Sequence, residues 1–182
     1  MGKIVISENV SLDGIAAGER LVERVGQVKG EAAKVLLDEA LGSEALLLGR
    51  RTYEFFAGRW PSRAGEYADR LNSMPKYVVS STLDHPAWNN VTVLRGNVVD
   101  EASKLKQEAD GDIVIYGSIQ LGRTLLQHDV VDELRLMIYP VVLGAGEPLF
   151  GETSNTKPFR LAASRTVGDG LAFLTYQSAR DA

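Results

Sequence analysis

"IVIYGSIQLGRT", residues 113–124, decides how this chain is read. A β-branched apolar run ends in glycine, and helical spacing follows. From Gly117 to Thr124 the letters are G-x-x-x-x-G-R-T, close to the G-x-x-x-x-G-K-[ST] loop that wraps nucleotide phosphates. That loop needs a backbone free to curl around the phosphates and a lysine to reach them. Here its interior is Ser118-Ile119-Gln120-Leu121, half of which wants burial, and Arg123 replaces the lysine. No later strand ends in an aspartate placed to hold magnesium. The spacing predicts instead a turn at Gly117, a capping Ser118 and a helix from Ile119. Gly122 then falls inside that helix, where a missing side chain permits close packing or close approach of a ligand. The first amides of such a helix attract an anion. An ordinary strand–helix turn with a packing glycine accounts for the same letters.

A second stretch repeats the pattern. In "LLLGRRTYE" (46–54) an apolar strand again meets glycine and a helix start, with Arg50, Arg51 and Thr52 beside it. Guanidinium groups suit phosphate because they donate paired hydrogen bonds; a solvated basic helix start is the alternative. If the two turns lie on neighbouring parallel strands, they face one crevice, the usual ligand site of open α/β sheets. In "SLDG" (11–14), Asp13 precedes a glycine after the first strand, as a binding group or as a simple turn residue.

Short apolar runs predict strands at 3–7, 45–49, 76–80, 91–94, 112–116 and 132–140. Helical spacing begins at Glu31 and stops at Gly42; it recurs in "RRTYEFF", over 99–109 and over 118–127. Residues 11–30 read mostly as loop, and "GDG" (168–170) as the turn of a terminal hairpin. Strands alternating with helices, then a hairpin, predict an α/β fold with a mostly parallel sheet and an antiparallel edge.

The totals set bounds. A chain of 182 residues predicts one domain over 1–182, large enough to bury about 70% of its unfolded surface without a staple. With no cysteine there is no disulfide, thiolate nucleophile or Cys-ligated metal, and two separated histidines, His85 and His128, do not suggest a metal site. A net charge of −4 without a basic stripe argues against nucleic acid. No apolar run suits a signal peptide or a membrane span, so the expectation is a cytoplasmic protein.

Taken in order, these segments resemble the dihydrofolate reductase fold. They are nearer still to the reductase domain of bifunctional riboflavin-biosynthesis deaminase–reductases and its single-domain relatives. The resemblance rests on "ISENVSLDGIAAG", "LLLGRRTYE", "VVSSTL" and the long block "IVIYGSIQLGRTLLQHDVVDELRLMIYPVVLGAGEPLF". It implies a three-layer α/β/α fold with a C-terminal antiparallel hairpin, and an NADPH-dependent oxidoreductase. Carried over by motif, Gly49, Arg50, Arg51 and Thr52 would hold cofactor phosphates. Ser80, Ser81 and Arg95 would flank the adenosine 2′-phosphate, and Gly117, Ser118 and Ile119 the pyrophosphate. Tyr116 would line the wall where nicotinamide meets substrate.

On the substrate side, Phe55, Phe56 and Trp60 would wall the pocket or pack the core. Asp13, Glu31 or water would supply the proton, and Arg20, Lys29 and Arg59 would be candidates for a substrate phosphate. The implied reaction is hydride transfer to an imine, enone or pterin-like ring, such as 5-amino-6-(5-phosphoribosylamino)uracil. Reduction of another ring or carbonyl compound, including dihydrofolate, and non-catalytic NADPH binding are the alternatives. The zinc deaminase motif (H-x-E with P-C-x-x-C) does not occur here. A homodimer is expected, using the strand around 132–139 and the hairpin.

Overall fold

The computed structural model describes residues 1–16 and 26–180. Eight strands form one sheet: β1 (Lys3–Ser11), β2 (Ser43–Gly49), β3 (Lys76–Val79), β4 (Val91–Leu94), β5 (Asp112–Tyr116), β6 (Glu133–Tyr139), β7 (Phe159–Val167) and β8 (Leu171–Ser178). Their order across the sheet is β4-β3-β2-β5-β1-β6-β8-β7. The first six run parallel, and β8 and β7 close the far side antiparallel.

Among the described residues, five helices cover both faces: α1 (Gly30–Gly42), α2 (Arg50–Ala57), α3 (Glu66–Ser73), α4 (Val98–Glu108) and α5 (Ile119–Gln127). The layers follow from strand alternation. Ile4, Ile6, Ile113, Ile115, Leu134 and Leu136 point to the side of α4 and α5, where Leu105, Leu121 and Leu125 meet them. Val5, Leu46, Leu48 and Val114 point to the other side, against Tyr53 of α2 and Leu71 of α3. Ala32 and Val35 of α1 pack on Met137, Tyr139 and Val167. The three-layer arrangement with a C-terminal hairpin matches the expected fold.

Several boundaries differ from the sequence reading. β1 does not stop at Ser7 but continues beside β6 to Ser11. α3 was not foreseen, because its short sequence buries only Ala68 and Leu71. The strand around 132–139, expected to serve in a dimer, lies inside the sheet: β6 sits between β1 and β8, and the margins are β4 and β7. Residues 12–16 of the long loop are tied down by bridges between Val10 and Ala16 and between Ile15 and Pro148. Arg20 lies outside the described residues.

Lys76 begins β3 yet has no solvent-exposed surface. Its ammonium donates to the carbonyls of Leu71 at 2.6 Å, Met74 at 2.7 Å and Asn72 at 3.2 Å, closing the end of α3. It also sits 4.4 Å from the centre of the Trp88 ring. Burial, with Arg70 nearby, pulls its pKa down to about 8.

Candidate active site at the carboxyl edge

The turns after β2 and β5 are neighbours. The Gly49 amide donates to Ser118 Oγ at 2.9 Å, and the Ser118 amide donates to Thr52 Oγ1 at 3.0 Å. Glycine is required at 117: its φ is +59°, and a Cβ there would meet the Thr52 side chain at 3.2 Å. Gly122 is buried in α5 as expected, with room for no Cβ beyond 3.2 Å from Ile6. Ser118 departs from the capping expectation. It stands before α5 with φ +52° and makes no side-chain cap, because its hydroxyl is turned to Gly49. α2, which follows Gly49, also lacks a side-chain cap. Asn97, by contrast, caps α4 by accepting from the Val99 and Asp100 amides. The remaining first-turn amides of α2 and α5 have no intrahelical acceptor, by helix geometry.

The next strand ends complete a polar rim. Ser80 Oγ accepts from the Leu83 amide at 3.1 Å, forming a tight loop. Arg95 donates to the carbonyls of Ser81 at 3.0 Å and Leu83 at 2.6 Å and pairs with Asp84 at 2.7 Å. Arg50 reaches the same loop, donating to Thr82 Oγ1 at 2.9 Å while paired with Glu54 at 2.7 Å. Gly49, Arg50, Thr52, Ser80, Ser81, Arg95, Gly117, Ser118 and Ile119 therefore gather along one edge of the sheet. Arg51 is exposed on the first turn of α2.

The groups expected to handle the proton have other partners. Asp13 accepts from Ser11 Oγ at 2.5 Å and from the amides of Gly144 at 2.8 Å and Leu143 at 3.1 Å. Those bonds bring its pKa down to about 2. It staples the turn after β1 to the loop after β6, and an ionised carboxylate has no proton to give at neutral pH. Glu31 is exposed on the first turn of α1, where it accepts from the Gly168 amide at 2.7 Å and holds the β7–β8 turn. Lys29 sits at the N-cap of α1.

The aromatic residues divide. Phe55 is exposed, with the Arg59 guanidinium 5.7 Å from its ring centre. Phe56 turns inward and meets Trp60 and Trp88 edge-on, each at 6.3 Å. Trp60 contacts Tyr67 at 5.2 Å and lines a cleft of about 370 Å³ with Lys34, Leu37, Arg63 and Tyr67. That cleft depends on α3 and was invisible without it.

Two buried acids were also missed. On the α1 side of the sheet, Glu39 faces Ser7, Tyr116 and Arg135. Burial raises its pKa, against the pull of the Ser7 hydroxyl and Arg135. Arg135 pairs with Asp112 at 2.5 Å, Glu133 at 2.7 Å and Glu39 at 3.4 Å. The Tyr116 hydroxyl and the Glu39 carboxyl face each other closely enough to interact. Burial, then Glu39, raises the Tyr116 pKa well above the usual phenol value. On the opposite face Glu8 is 7% exposed, and its Oε1 has no partner. Its pKa is raised well above the carboxylate range by burial, against the Gly117 amide beside it. The signal was present: alternation puts Glu8 on the buried face with Ile4, Ile6 and Val10. Among the described residues no group of three or more His, Asp or Glu is arranged to hold a metal, and no helix is long and apolar enough to cross a membrane.

An α/β sheet with two glycine turns joined at its carboxyl edge defines the reductase-like class to which the comparisons point. The chain belongs to the RibD C-terminal domain family, which it matches over residues 2–173. Two Bacillus subtilis (strain 168) proteins without assigned function resemble it along nearly their whole length. YyaP is 27% identical over 186 aligned residues, covering 96% of this chain and 94% of YyaP. YwjB is 30% identical over 170, covering 93% of this chain and 94% of YwjB.

Three solved structures share the fold. A pyrimidine reductase-like protein of Corynebacterium diphtheriae has a TM-score of 0.72 at 18% identity, over 98% of this chain and 92% of that one. Enterococcus faecalis dihydrofolate reductase, complexed with NADP(H), has a TM-score of 0.66 at 16% identity, over 97% and 96%. The Thermotoga maritima deaminase/5-amino-6-(5-phosphoribosylamino)uracil reductase has a TM-score of 0.67 at 12% identity, over 97% of this chain and 56% of the longer enzyme.

Proposed function

We propose that this protein is an NADPH-dependent reductase acting on a small heterocyclic or imine substrate of the riboflavin-pathway kind. The observation that carries the reading is the junction at Gly49, Thr52 and Ser118. It holds two uncapped helix starts side by side at the carboxyl edge. Uncapped first turns present amides and positive dipole ends to an anion. Two of them together suit a pyrophosphate, and family membership favours a dinucleotide.

The side chains fit the rest of such a molecule. Arg50 and Arg95 converge on the loop after β3, where an adenosine 2′-phosphate would find two guanidiniums. In the other direction along the edge the next strands are β5 and β1, so the nicotinamide would lie by Tyr116, Gly117 and Glu8. When bound, the cofactor supplies hydride; the protein supplies orientation and a fixed electrostatic setting. Hydride would go to an electrophilic ring or imine carbon. With Asp13 and Glu31 engaged elsewhere, water is the remaining proton source of the three expected. The cleft beside Trp60, with Lys34 and Arg63 in its wall, offers positive charge for an anionic part of the substrate.

Turnover tests this reading. Purified protein mixed with NADPH and a panel of ribosylaminopyrimidine, pterin and dicarbonyl compounds is followed by loss of reduced-cofactor absorbance. Consumption with the phosphorylated pyrimidine is the expected result. Consumption only with pterins or carbonyls would move the substrate assignment, and cofactor binding without turnover would make the protein a non-catalytic NADPH binder.

A further inference from the structure

The sheet splits at its centre. β1 pairs with β5 only as far as Ser7 and Tyr116, then leaves β5 and follows β6 to Ser11. One lip of the resulting crevice carries Glu8 and the other Gly117. Glu8 is an anomaly among its neighbours. Ile4, Ile6 and Val10 share its face, as alternation requires, and all are buried. A carboxyl in their row costs free energy unless every polar atom finds a partner. The Gly117 amide lies beside the Glu8 carboxyl, and Oε1 has no hydrogen-bonding partner. The cavity beside it, about 10 Å³ and so no larger than one water, is lined by Ile6, Ile119, Gly122, Leu126, Leu149 and Phe150, with Arg123 as the other charged side chain in its wall.

We propose that Glu8 reads the carboxamide of the nicotinamide ring. The inference rests on the NADPH reading above and adds the residue that recognises the reactive end. If the pyrophosphate sits at the β2–β5 junction and the adenosine lies over β3 and β4, the nicotinamide lies on the β1 side of β5. Glu8 is the buried carboxyl on that side, and its Oε1 is free. A primary carboxamide presents one acceptor and two donors in a plane. A neutral carboxyl is its complement, because it offers an O–H and a carbonyl oxygen side by side. Burial raises the Glu8 pKa and so favours the protonated form that offers that pair.

Binding measurements on the whole protein decide it, with NADPH and 2′,5′-ADP as probes, since the second lacks the nicotinamide. Glu8→Leu should weaken NADPH about tenfold and leave 2′,5′-ADP unchanged. Glu8→Gln, which keeps a donor and an acceptor, should stay within about threefold of the parent for both probes. A 3-acetylpyridine analogue of NADPH, whose acetyl group cannot donate, should bind the parent more weakly than NADPH. That gap should close in Glu8→Leu. A thermal midpoint at or above the parent's for Glu8→Leu would confirm that folding is intact. If Glu8→Leu weakens both probes equally, or neither, Glu8 does not read the ring and the dinucleotide site stands without it. If the parent binds neither probe, the cofactor reading and this inference fall together.

Discussion

The amide of Ser118 donates to Thr52 Oγ1 at 3.0 Å, across 66 residues of sequence. With the return bond from the Gly49 amide to Ser118 Oγ, it fixes the spacing of two helix starts on adjacent strands. The pair spends its own polar atoms on each other, so in the proposed site it would set the spacing and leave the neighbouring amides to bind the anion. Thr52→Val keeps the shape and removes the acceptor, leaving the Ser118 amide unpaired. It should cost about 1–2 kcal/mol of stability by denaturant titration and weaken NADPH binding several-fold. Unchanged binding would show that the junction does not set the site.

On the proposed reading, the arginines would set the cofactor preference. Arg50 and Arg95 approach the loop after β3 from two sides. Arg50→Gln should lower NADPH affinity about tenfold and leave NADH nearly unchanged, since only NADPH carries the 2′-phosphate. Equal losses for the two cofactors, measured by titration calorimetry, would remove the 2′-phosphate assignment.

Asp13 makes a pH prediction. Its carboxyl is held at about 2, below the ordinary value of 3.8, by Ser11 and the Gly144 and Leu143 amides. A depressed acid stabilises the fold fully above its ordinary pKa and loses that contribution as pH falls through the folded value. Asp13→Ala should therefore melt below the parent near neutral pH, and the gap should close as pH drops from about 4 to about 2. A gap that stays constant with pH would mean that the staple does not depend on the charge.

Lys76 is a stability determinant. Lys76→Met preserves much of the volume but deprives the carbonyls of Leu71, Asn72 and Met74 of their donor. The expected loss is about 3 kcal/mol by urea unfolding. A loss under about 0.5 kcal/mol would show that water replaces the ammonium without cost.

The sequence made the proposed cofactor edge legible because its signals are local. Apolar runs meeting Gly49 and Gly117 announce strand–helix turns, and Gly122 announces a close approach inside α5. The partners of Ser118 were not legible, because they lie at another strand–helix turn and depend on its left-handed backbone. The substrate side depends on contacts far apart in the chain. Asp13 finds Gly144 across 131 residues, and Glu31 finds Gly168 across 137. Neither partner has a motif. α3 was missed because eight mostly polar residues carry too little hydrophobic pattern, and the cleft beside Trp60 was missed with it. Glu8 was readable in principle: extending the alternation of β1 past Ser7 puts a carboxyl where an apolar side chain belongs.

Amide hydrogen exchange of the whole protein, with and without NADPH, tests the central claim most directly. The account predicts that cofactor slows exchange at both helix starts together, over residues 50–52 and 119–121. Protection at one start alone, or at neither while NADPH is bound, would contradict a dinucleotide gripped at the junction of Gly49, Thr52 and Ser118.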